Sequence, residues 1–111
     1  MTQTDLFNAL VSLGMPVAYG QFIGTPKNPV PAPPFICYQF TDDADFKADN
    51  QNYIEISNFQ IELYTPKKDL TKEQLVQDKL KELRLPYSKL EAWLDTEKMW
   101  QILYKIQIMR G

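Results

Sequence analysis

Two periods of apolar residues run through the chain. Leu6, Phe7, Leu10 and Val11 share one helical face and predict a short amphipathic helix over residues 4–13. Thr4 suits its N-cap, Asp5 complements its dipole, and Gly14 and Pro16 end it. Residues 17–22 predict a strand in which Gly20 marks a bulge. Residues 35–40 are apolar on both faces and predict a strand inside a sheet. The longest run, 53–65, is apolar at Ile54 and Ile56, then at Phe59, Ile61 and Leu63, so its phase flips at Ser57-Asn58. A regular strand cannot do that and keep one dry face. Either a bulge sits there or the first part packs on a different surface.

A second helix is predicted over residues 70–85, with Leu75, Val76, Leu80 and Leu83 as its buried stripe. Lys72, Glu73, Lys79, Lys81 and Glu82 fall on its wet side, Thr71 and Gln74 fit a capping box, and Asp69 or Thr71 serves as N-cap. Residues 87–94 and 99–109 predict a closing antiparallel hairpin around the turn 95–98. Trp100, Ile102, Tyr104, Ile106 and Ile108 alternate with Gln101, Leu103, Lys105 and Gln107. The order α-β-β-β-α-β-β predicts one α+β domain over residues 1–111: a two-layer sandwich, mainly an antiparallel sheet with two helices on one face.

The segments between these elements carry the residues most suited to contact. Residues 24–34 hold five of the eight prolines, which excludes helix and predicts an extended, partly polyproline-like surface loop. Pro29 and Pro31 belong either to an arm that docks on a neighbouring subunit or to a stiff connector. Residues 41–52 read as an acidic loop with Asp42, Asp43, Asp45 and Asp49, anchored by Phe46 alone. Its spacing resembles a calcium loop but lacks the glycine and the closing glutamate of the EF-hand. Tyr53 opens a strand long enough to overhang a small domain and pair at an edge. Lys67-Lys68-Asp69 reads as a charged turn between strand and helix, or as an interface.

Composition narrows the chemistry. The chain has no His, so His-based metal sites and Ser–His–Asp or Cys–His catalysis are ruled out. The single cysteine, Cys37, allows no intrachain disulfide and, among Phe35, Ile36 and Tyr38, reads as a buried small hydrophobe. None of the four glycines forms a phosphate-binding loop. The net charge of -2, without a basic run, gives no footprint for nucleic acid. No secretory signal or membrane-length apolar run is visible, so the expected location is the cytoplasm of the producing cell. No enzymatic activity, cofactor or metal is expected.

The block 48–69, with the pattern Leu63-Tyr64-Thr65-Pro66-Lys67-Lys68-Asp69, stands downstream of Met15-Pro16-Val17-Ala18-Tyr19 and Pro33-Pro34-Phe35-Ile36-Cys37-Tyr38. Together these segments resemble a family of small proteins from the morphogenesis genes of long-tailed phages and prophages, the tail terminators and tail-completion proteins of the head–tail junction. The resemblance runs over nearly the whole chain and rests on structural motifs. It implies a small antiparallel sheet flanked by helices and a homo-oligomeric ring, commonly of six subunits, on the tail tube. It also implies head-closure proteins as partners, assembly in the bacterial cytoplasm and a final place in the virion. A head-closure or adaptor protein of the same junction is the nearest alternative, and a small cellular protein-binding module is the alternative from another class.

Overall fold

The computed structural model describes residues 1–48 and 51–109. Its elements are α1 (Gln3–Val11), β1 (Val17–Tyr19), β2 (Phe35–Asp43), β3 (Phe46–Ala48), β4 (Gln51–Ile54), β5 (Ile56–Thr65), α2 (Leu70–Glu82), β6 (Ser88–Leu94) and β7 (Met99–Met109). Five strands form one sheet in the order β1-β2-β5-β7-β6, and β3 pairs with β4 in a separate two-stranded sheet. The expected α+β architecture is present.

Alternation decides which face is dry. Phe59, Ile61 and Leu63 of β5 lie opposite Ile106, Tyr104 and Ile102 of β7, and Ile36 and Tyr38 of β2 continue the row. With Leu6 and Leu10 of α1 and Val76 and Leu80 of α2 these residues make the core. Burying one such side chain contributes roughly 1.5–3 kcal/mol. Phe7, Val11 and Leu75, expected in the helical stripes, stand more exposed at the margin.

Several expectations are corrected. Helix α1 is capped by Thr2, not Thr4: the Asp5 amide donates to Thr2 Oγ1 and the Thr2 amide donates to Asp5 Oδ2, a reciprocal box that starts the helix earlier. Helix α2 is capped by Asp69, whose side chain accepts from the Lys72 amide, so the Thr71–Gln74 box is not used. This helix ends at Glu82, before Pro86 is reached. Arg84 adopts φ 58, its amide bonds to Lys81 O, and the Leu85 amide bonds to Leu80 O. That is a Schellman closure, here without glycine.

Strand β1 is shorter than expected and runs parallel to β2. A parallel neighbour requires a long crossover, and the Pro-rich segment supplies it. Gly20, at φ 76, ends β1 rather than bulging it.

The phase flip has a different physical basis from a bulge at Ser57-Asn58. The run divides at Glu55: Ile54 belongs to β4, paired with β3, while Ile56 opens β5. Ser57, Phe59, Ile61, Leu63 and Thr65 then keep one buried face without interruption. The register shift in the main sheet lies in β2, between Phe40 and Asp42.

Residues 41–52 are also corrected. Thr41 to Asp43 extend β2, and two short strands follow. Local pairing outweighs the poor strand propensity of aspartate. Thr41 Oγ1 donates to Asn58 O, Asn58 Nδ2 donates to Asp42 Oδ1, and the Ile56 amide donates to Asp45 Oδ1 at 2.7 Å.

Candidate interaction surfaces

The crossover between β1 and β2 lies over the sheet face that the helices leave open. Phe22 packs its ring on Phe35, with centroids 5.2 Å apart, and Phe35 in turn meets Tyr64. Beyond this anchor the segment closes on itself rather than running extended. The Thr25 amide bonds to Asn28 O, and the Asn28 amide bonds to Thr25 Oγ1. Val30 returns so close to Gly24 that an added Cβ there would lie 3.1 Å from Val30 Cγ2. Pro29 is exposed and Pro31 half-buried, while Ile23, at 79% exposure, and Val30 present apolar surface beside them.

Beneath Phe22 the open face carries a polar network missed by the sequence reading. Glu62 is only 7% exposed. Tyr64 Oη donates to Glu62 Oε1 at 3.0 Å, and Gln101 Nε2 donates to Glu62 Oε1 at 3.2 Å and to Tyr64 Oη at 3.0 Å. Gln39 Nε2 lies 3.5 Å from Glu62 Oε2. Cys37 faces Glu62 across the ladder. Burial, reinforced by the Glu62 charge and opposed by a hydrogen bond to the Phe22 backbone, pushes the Cys37 thiol up to about 11. Burial likewise outweighs the Gln101 hydrogen bond and pushes the Tyr64 hydroxyl up to about 12. Groups held this strongly in their neutral forms favour packing and hydrogen bonding over nucleophilic chemistry at neutral pH.

The turn at residues 66–69 is tied into the body of the protein. Lys68 Nζ stands 2.7 Å from Glu73 Oε2 and 2.9 Å from Glu91 Oε1, and Lys89 Nζ stands 2.6 Å from Glu73 Oε1. Burial alone would raise the Glu73 carboxyl, but hydrogen bonds and charge from Lys68 and Lys89 outweigh it and hold the group below its ordinary value. The hydrogen bond to Glu73 is the main reason that Lys68 is raised. Glu73, expected on the wet side, is buried. Its spacing of three and seven residues from Val76 and Leu80 was the available signal. Lys67 is exposed beside this cluster.

Of the other candidate residues, Phe46 and Tyr53 lie in the backbones of β3 and β4, and their side chains lie outside the described part. Asp49 lies outside the described residues. The candidates therefore separate into three regions: the crossover with Pro29 and Pro31, the β3–β4 pair, and the Lys67-Lys68 turn.

A groove of about 630 Å³ opens where β6 begins, lined by both polar and apolar residues, among them Asp42, Asn58, Phe59, Tyr87, Lys105 and Ile106. Among the described residues no group of three or more Cys, Asp or Glu side chains is arranged to hold a metal ion, and no helix is long and apolar enough to cross a membrane. Neither the comparison with protein-family models nor the comparison with curated proteins gives a match.

Proposed function

We propose that this protein is a structural subunit of a phage head–tail junction, a tail terminator or tail-completion protein that acts by binding alone in a homo-oligomeric ring. The observation that carries the reading is the architecture. A small, mainly antiparallel sheet backed by two helices is what the resemblance of residues 48–69 and the upstream segments implies. The surfaces are also suited to binding. Pro29, Ile23 and Val30 form an exposed, preformed loop, and the β3–β4 pair stands apart from the main sheet. Heterologous ring contacts need two different patches on each subunit, and these two regions serve as such a pair, with Lys67 as a third contact.

In this mechanism the ring caps the growing tail tube, stops its polymerisation and offers a docking face to the head-closure proteins. Light scattering after size exclusion, followed by cosedimentation with purified tail tubes, tests it. The expected results are a species near six times 13.0 kDa, free or on the tube end, and saturable binding to tubes. Failure to bind tubes in any assembly state would overturn the reading.

A further inference from the structure

The two ends of the main sheet are unlike. At one end β1 covers only three residues of β2. Beyond it the β2 edge is blunted: Tyr19 Oη takes up the Phe40 amide, the register shifts after Phe40, and Asp42 and Asp43 follow. At the other end β6 pairs with β7 without a register shift from Ser88 to Leu94, and its outer edge is unpaired among the described residues. Leu90 is 56% exposed and Trp93 43%. An unbulged edge with exposed apolar side chains is a template for another strand.

The sequence of this edge is complementary to itself. Antiparallel pairing about Leu90 sets Lys89 of one copy opposite Glu91 of the other, Ser88 opposite Ala92, Tyr87 opposite Trp93, and Leu90 opposite Leu90. Each couple lies on one face of the joined sheet, as strand pairing requires. Lys89 already touches Glu73, and Glu91 touches Lys68, so the contact would extend two ion pairs into one alternating row. Moving the axis by one residue either way places Lys89 against Lys89 or Glu91 against Glu91, and like charges directly opposite are destabilising.

We propose that β6 is a self-association edge: two copies of this chain pair antiparallel about a two-fold axis at Leu90, joining their five-stranded sheets into one. The opposite edge, short and acidic, cannot offer β6 a partner strand of equal length. An isologous contact of this kind is separate from the heterologous contacts of a ring.

Disulfide trapping tests the pairing and its register. Under mild oxidation Leu90→Cys is expected to give a covalent dimer, because the two positions face each other across the axis. Ala92→Cys, which faces Ser88, is expected to give little. The buried Cys37 leaves the parent protein as an uncrosslinked control. In light scattering the parent is expected to reach twice 13.0 kDa or a multiple of it. Leu90→Lys, at an exposed site, is expected to lose the two-fold contact with unchanged circular dichroism. A parent that stays monomeric at every concentration would overturn the proposal, as would equal linking at both positions. A hexamer in which Leu90→Cys does not link would overturn it too, while leaving the ring intact. So would a monomer that binds a different protein through β6.

Discussion

The Glu73 carboxylate, 2% exposed, stands 2.6 Å from the Lys89 ammonium and so ties the first turn of α2 to the edge strand β6. Lys68 closes the same carboxylate from the other side at 2.7 Å. The partners are unequally buried, and that sets an order of costs. Removing both cations, as in Lys68→Met with Lys89→Met, leaves a buried charge without compensation and is expected to cost about 3–5 kcal/mol. Glu73→Gln removes the charge, leaves Lys68 its pair with Glu91 and frees Lys89, which can reach water, so a smaller loss of about 1–2 kcal/mol is expected. Urea unfolding of the three proteins measures both. A double lysine variant as stable as Glu73→Gln would contradict this account.

The same carboxylate sets a pH dependence. Its folded pKa lies below the ordinary glutamate value of 4.5. A group lowered on folding contributes stability above its unfolded pKa and loses it as pH falls through the folded one. The parent is therefore expected to lose stability below about pH 4.5, whereas Glu73→Gln lacks this contribution at every pH. The gap between the two unfolding midpoints should hold from neutral pH to about pH 5 and narrow below that, toward pH 2. A gap that stays constant over that range would show that the carboxylate charge is not the source of the difference.

How far these features were legible depends on whether the determining contact is local. The alternation from Trp100 to Ile108 identified β7 and its buried face, because one residue's direction fixes the next in a strand. The flip between Ile56 and Phe59 correctly signalled that one strand could not hold the whole run, but the break falls at Glu55. It was misplaced because Ser57, small and polar, is buried in the sheet opposite Ile108. Thr41 to Asp43 looked like loop because their strand rests on Asn58 and Ser57, contacts far away in sequence. Glu73 looked solvated because its charge is matched by lysines from a turn and a distant strand. The Glu62 network was invisible for a similar reason: it needs β2, β5 and β7 side by side.

Arg84 and Lys98 occupy left-handed backbone positions, at φ 58 and φ 55. Each closes a turn, one at the end of α2 and the other between β6 and β7. A side chain there costs roughly 1–2 kcal/mol relative to glycine, and glycine returns part of that gain as unfolded-state entropy. Arg84→Gly is expected to raise the stability by about 0.5–1 kcal/mol, with a similar gain at Lys98→Gly. Lys98 Nζ also contacts Asp95 at 3.0 Å, but both side chains are largely exposed, so this pair should offset little of the gain. Thermal unfolding checks both variants, and a lowered midpoint for Arg84→Gly would mean that its side chain makes contacts that matter more than the backbone relief.

Cys37 provides a probe of how tightly the open face is closed. It is buried beside Glu62, with its thiol raised from 9.0 to about 11. The thiolate is the reacting form, so a rise of this size lowers its population at pH 8 by about 100-fold, before the barrier of access is counted. The native protein should therefore react with a thiol reagent at pH 8 far more slowly than the urea-unfolded chain. Phe22→Ala removes the ring that packs on Phe35 and is expected to speed the native reaction while leaving the unfolded rate unchanged. The same shift acts on stability with the opposite sign to Glu73. A group raised on folding favours the native state below its unfolded pKa and loses that contribution as pH rises through the folded value. Cys37 should therefore contribute to a decline in stability between pH 9 and about pH 11. Native labelling as fast as unfolded labelling would mean that the crossover does not cover this face in solution.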